Sequence, residues 1–130
     1  MTMTSDEVWD LLELIASIDR RKVGLTDRQV WQGLIGDLSA ADAQAAVVAH
    51  YSETADWIMP AHIRQRVKAI RDQRLQDTEI PAEPLIALMD DPPAYLAAVR
   101  AANAAIADGR DPETAMRAIT RQQRPELEAR

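Results

Sequence analysis

Apolar residues recur at three- and four-residue intervals through most of the chain, the spacing that gathers them on one side of a helix. Val8, Leu11, Leu12, Ile15 and Ile18 predict a first helix with one buried stripe, opened by Thr4 and Glu7 as a capping box. The polar run Asp19-Arg20-Arg21-Lys22, then Val23-Gly24, ends it. Thr26 with Gln29 predicts a second capping box, leading a helix whose apolar face is Val30, Trp31, Leu34 and Ile35. Gly36-Asp37-Leu38 carries the chain out, and Ser39 caps a third helix with Asp42 in its first turn, where the helix dipole favours negative charge. Ala43, Ala46, Val47 and Tyr51 line one side of that helix, and small residues let neighbours approach closely, so it is expected to be central. Residues 52–59 read as an irregular link. Pro60 suits the first position of a fourth helix, with Ile63, Val67 and Ile70 as its buried stripe and an end near Arg74 to Asp77.

The pattern then changes. Residues 77–93 hold four prolines and five acidic residues, which predicts a linker interrupted by one short apolar turn, Leu85-Ile86-Ala87-Leu88-Met89. An Ala-rich fifth helix follows from about Ala94 to Asp108, with Gly109 just beyond its end. Asp111-Pro112-Glu113 starts a sixth, ending near Arg121. No sustained alternation and no Asn-Gly turn signals a strand. The expectation is an all-α chain: a four-helix head bundle over 1–76, a Pro-rich acidic linker over 77–93, a helical hairpin over 94–121 and a frayed tail over 122–130.

Composition narrows the chemistry. The net charge is −6, which argues against strong general affinity for nucleic acid, and three Trp, two Tyr and no Phe leave few platforms for stacking bases. Cysteine is absent, so neither disulfides nor thiolate metal sites are available. No apolar run reaches the roughly 20 residues of a membrane span, and MTMTSDEVW lacks the basic and apolar segments of a signal peptide. A cytoplasmic protein without membrane contact is expected. The four glycines stand singly and form no phosphate loop. His50 and His62 lack a recurring acidic partner and read as ordinary helix residues, and Ser5, Ser39 and Ser52 sit at helix boundaries, where capping accounts for them. No catalytic residue, metal, cofactor or small-molecule substrate is expected, and the chain reads as a non-enzyme.

One stretch runs against the overall charge. HYSETADWIMPAHIRQRVKAIRDQR spans His50 to Arg74, and residues 61–75 within and just past it hold five basic residues against one acidic. Arg64, Lys68 and Arg71 recur at i, i+4 and i+7, within some 60° of one another at about 100° per residue, so a cationic ridge flanks the buried stripe. The ridge is either a solvated helix face, a surface for an acidic partner or for the chain's own acidic segment, or a set of phosphate contacts. Three to five neutralised phosphates would give weak, salt-sensitive binding. Trp31 reads as core, and Trp9 as partly exposed. Trp57 either plugs the open end of the bundle or stands out as an anchor for a partner.

The order VWDLLELIASID, LTDRQVWQGLIGDLS, DAQAAVVAHYSETADWIMPAHIRQRV resembles small replication proteins of actinobacterial phages and prophages. More distantly, it resembles the N-terminal helical domain of the phage replicative-helicase loader/inhibitor family. The likeness lies in Trp31 and Leu34, the Asp37-Leu38 turn, Ala45-Ala46, Pro60 and Ile63, over roughly residues 5–72. The resemblance implies a small helical head and a C-terminal part that engages a ring helicase as loader or inhibitor, with no ATPase motif of its own. The docking candidates are Leu85, Ile86, Leu88, Met89, Tyr95 and Leu96, with Trp57, in a helix-in-groove mode. Two alternatives remain: a helix-turn-helix-like DNA-binding regulator using Arg64, Lys68 and Arg71, or a phage-encoded protein aimed at another host target.

Overall fold

The computed structural model describes residues 2–123 and 125, and the chain divides into two compact units, Met1–Ile70 and Arg71–Arg130. Among the described residues every regular element is helical: α1 (Ser5–Asp19), α2 (Leu25–Ile35), α3 (Ala40–Glu53), α4 (Pro60–Asp77), α5 (Ala82–Ile86), α6 (Pro92–Ala107) and α7 (Pro112–Gln123). The boundary between the units falls within α4, whose residues 60–70 belong to the first and 71–77 to the second. No helix is long and apolar enough to cross a membrane.

In the first unit, α1 starts as its sequence dictates. Thr4 Oγ1 accepts the Glu7 amide and the Glu7 carboxylate accepts the Thr4 amide, which satisfies two otherwise orphaned donors. Val8, Leu11, Leu12 and Ile15 are buried against Trp31 and Ile35 of α2, Ala43, Ala46 and Val47 of α3, and Ile63 and Val67 of α4. Met3 is also buried: its amide donates to Gly36 O and its carbonyl accepts from Gln32 Nε2, so the N-terminal segment is strapped to the end of α2. Ile58, in the link before α4, completes the core.

Several local expectations differ. The N-cap of α2 is Gly24, two residues before Thr26, because the Asp27 carboxylate takes the Gly24 amide; Thr26 lies inside the helix. Val30 and Leu34 of its predicted apolar face are exposed, as is Ile18 of α1, and Ile70 of α4 is only half-buried. A single face of α2 suffices to cover α1, so only Trp31 and Ile35 are used.

The second unit corrects the linker expectation. Segment 77–93 contains helix α5, and Leu88 within it is fully buried. Leu88 joins Ala94, Ala98 and Ala102 of α6 and Met116 of α7, with Ile80, Leu85 and Tyr95 packed alongside. The alanines at i, i+4 and i+8 form one small-residue seam, which lets α7 lie close to α6. α6 starts at Pro92, two residues earlier than expected, with the Asp91 carboxylate accepting the Ala94 amide. It ends in a Schellman turn: Gly109, at φ 75°, donates to Ile106 O, and the Arg110 amide donates to Ala105 O. α7 is capped by Asp111, whose carboxylate accepts from the Thr114 amide and hydroxyl. The expected tail 122–130 lies outside the described residues except Gln122 and Gln123, which continue α7, and Pro125.

The apolar run between the prolines therefore divides into inward and outward residues. Leu88→Ala is expected to lower stability by about 2–5 kcal/mol in denaturant unfolding. Ile86→Ala, at an exposed position, should stay within about 0.5 kcal/mol of the parent.

Candidate functional site

Four prolines keep segment 77–93 from forming one long helix. Pro81 is the N-cap of the five-residue α5, Pro84 lies within its first turn, and Pro92-Pro93 open α6. Between them the backbone turns through bonds of three-residue span: Leu88 N–H to Leu85 O, Met89 N–H to Ile86 O, and Asp91 N–H to Leu88 O. That spacing puts Leu85 and Leu88 on the core side and Ile86 and Met89 on the other. The outward residues, with Ala82, Leu85, Pro92, Tyr95 and Leu96, line an open apolar groove of about 520 Å³. Ile86 is 64% exposed, Met89 70% and Leu96 52%. Isolated exposed apolar side chains are ordinary, but a contiguous set lining a concavity marks a binding surface. Met89 adds an unbranched, adaptable side chain of the kind that suits such surfaces.

The structure thus brings together Leu85, Ile86, Met89, Tyr95 and Leu96. Leu88 is the exception: at 0% exposure it is the floor of the unit's core and is unavailable to a partner. Ala82 and Pro92 join the lining without having been singled out, since neither an alanine nor a proline stands out in a segment read as a linker.

The basic residues of α4 are engaged within the chain. Both guanidinium nitrogens of Arg64 reach the Asp37 carboxylate, at 2.6 and 2.9 Å, and Nη1 also donates to Leu34 O. This hydrogen bond holds the Asp37 carboxyl below its ordinary value. The pair is exposed, so its stabilisation is at most about 1 kcal/mol. Arg66 pairs with Glu53. Within the second unit, Arg71 binds Asp108, lowering the pKa of that carboxyl, and Arg74 donates to Ala107 O. Both arginines therefore sit at the C-terminus of α6, where positive charge is favoured. Lys68 is exposed and is not without a partner.

A polar centre in the first unit was not anticipated. Arg20 closes α1 in the left-handed conformation, φ 64°, which costs a non-glycine residue on the order of 1–3 kcal/mol. Across it, Asp19 and Arg21 clamp together: Arg21 Nε and Nη2 donate to Asp19 Oδ2 at 2.9 and 2.6 Å, and the Arg21 amide to Oδ1. Arg21 Nη2 also donates to Ile58 O at 2.8 Å, and Tyr51 donates its hydroxyl proton to Asp19 while accepting the Ile58 amide. The side chains of Arg21 and Asp19 are only 9% and 3% exposed. Burial alone would raise the Asp19 carboxyl, but the hydrogen bonds from Arg21 and Tyr51 outweigh it and hold the carboxyl below its ordinary value. Burial and the Asp19 contact push the Tyr51 phenol up. The Arg21 guanidinium lies 4.6 Å from the Trp57 ring centre and 5.8 Å from that of Trp31. Trp31 is core, as expected; Trp57 covers Arg21 on one side yet stays 55% exposed.

The two histidines support the same link. His50 Nε2 lies 2.7 Å from Asp56 O and so carries the proton, because a carbonyl can only accept. His62 Nδ1 accepts the Met59 amide at the start of α4, and the two rings stack at 5.2 Å. Among the described residues, no group of three or more His, Asp or Glu side chains is placed to hold a metal ion.

These features define a protein whose regular elements are all helical among the described residues, with an apolar groove on the second unit. No protein-family model, curated protein or solved structure matches the chain.

The polar centre has a measurable weight. Arg21→Ala leaves a buried carboxylate without its cation and is expected to cost about 3–5 kcal/mol in denaturant unfolding at neutral pH. Because the folded Asp19 carboxyl takes up its proton at lower pH than in the unfolded chain, its contribution is fully present above the ordinary carboxylate range. It is lost as pH falls through the lowered folded value. Asp19→Asn should therefore flatten the acid limb of the stability-against-pH curve relative to the parent.

Proposed function

We propose that the protein is a non-catalytic adaptor that binds a bacterial replicative DNA helicase as loader or inhibitor. In this reading the first unit is the four-helix head and the second carries the docking surface. The observation that carries it is the α5–α6 groove: five of the residues expected to dock a partner converge on one exposed apolar concavity. Ordinary chain chemistry does not require such a surface, and leaving it open to water is unfavourable at roughly 25 cal/mol per Å² of apolar area. The helicase as partner comes from the resemblance of residues 5–72 to phage replication proteins. The adaptor would act by mass action: binding one conformation of the ring better than another shifts the ring toward it by the difference in affinity.

The DNA-binding alternative has less in its favour. Arg64 would exchange the bidentate Asp37 contact for a phosphate, and Arg71 would leave Asp108 and the end of α6.

The test is co-purification of the tagged full chain with an actinobacterial replicative helicase, followed by light scattering. A defined complex of fixed stoichiometry is the expected result. No complex, with a DNA mobility shift at low salt that Arg64→Ala, Lys68→Ala and Arg71→Ala together abolish, would replace this reading with the regulator.

A further inference from the structure

The groove's surroundings specify what it takes. This inference rests on the adaptor reading and narrows the ligand of the same site. Of the recurring modes by which proteins capture peptides, strand addition needs an open sheet edge, and the described residues form no strand. Capture of polyproline segments uses grooves lined with several aromatic rings, whereas Tyr95 is the one aromatic residue in this lining. Capture of phosphorylated or acidic motifs needs an arginine cluster. Residues 79–96 instead hold Glu79, Glu83, Asp90 and Asp91 and no Lys or Arg. Arg100, one turn beyond Leu96 on α6, is the nearest basic residue that follows them in the chain.

The mode this apolar lining fits is an amphipathic helix laid into the groove. Ile86, Met89 and Leu96 provide an aliphatic floor and walls without a hydrogen-bonding code, so the apolar side of the helix supplies the contact area. Glu79 and Glu83 are exposed. Their field attracts cations and rejects anionic surfaces over about 10 Å at 0.1 M salt. We propose that the α5–α6 groove binds an amphipathic helix of a partner protein, with aliphatic residues at three- and four-residue spacing bordered by Lys or Arg. The acidic flank is the selective element: it disfavours acidic amphipathic helices and anionic lipid alike.

The experiment titrates the isotope-labelled full chain with two synthetic helical peptides of about five turns. Both carry Leu at helical spacing; one has Lys along the flanks and the other has Glu at the same positions. Saturable amide shifts confined to residues 82–96 are expected with the Lys peptide, and affinity at least about tenfold weaker with the Glu peptide. Ile86→Glu with Met89→Glu should abolish the shifts while leaving the helical spectrum unchanged, since both side chains are exposed. Glu79→Lys with Glu83→Lys should reduce or reverse the preference between the peptides. Equal binding of both peptides, shifts centred elsewhere, or no shifts from either at millimolar concentration would overturn the proposal. So would a second copy of the chain filling the groove, seen as a doubled mass that Ile86→Glu with Met89→Glu abolishes. A helicase complex that survives those two substitutions would keep the adaptor reading and sink this one; Lys-peptide binding without a helicase complex would do the reverse.

Discussion

Five consecutive apolar residues between two pairs of prolines cannot all be buried by a segment this short. The prolines deny Leu85–Met89 a long helix, and the tight turns that replace it divide the run by threes. Leu88 enters the alanine seam of α6 and the side of Met116, and anchors the whole segment to the second unit. Ile86 and Met89 are then forced outward. The groove is the outer side of the contact that holds α5 in place, so the core and the groove are coupled through one short stretch of chain. A substitution that loosened Leu88 would remove the groove along with the core.

The first unit solves a different problem. Its link of residues 54–59 has little regular structure, yet Ile58 must reach the core. Arg21 and Tyr51, both held by Asp19, provide polar partners for the carbonyl and the amide of Ile58. Unpaired buried backbone groups are costly, and here a buried ion pair has that role. The left-handed turn at Arg20 is the local strain that lets Arg21 fold back over Asp19. Trp57 and Trp31 flank the cation, and His62 caps the helix that follows.

Helices were legible because helical periodicity and caps are local. Thr4 with Glu7, Ser39, Pro60 and Gly109 each act within a few residues of themselves, and each is found where the sequence places it. The outward side of α2 was not legible: Val30 and Leu34 have the right spacing, but what a stripe faces is decided by distant helices. Segment 77–93 reads as a linker in the sequence because proline and acidic residues are common to linkers and to tightly turned structure. The residues that line its groove could still be picked out, since an apolar run beside such residues is conspicuous; that Leu88 points the other way depends on α6 and α7. The Asp19–Arg21 centre was hidden for the same reason. Its partners Tyr51 and Ile58 lie more than thirty residues along the chain, and a run of four charged residues gives no sign of which will be buried.

The central claim is that the outward side of α5 and the start of α6 is where this protein meets its partner. Amide hydrogen exchange on the full chain, free and in complex with the helicase, tests it most directly. The account predicts new protection concentrated in residues 82–96, with the amides around Trp57 and along residues 61–75 little changed. Protection confined to residues 50–74, with 82–96 exchanging as in the free protein, would contradict it.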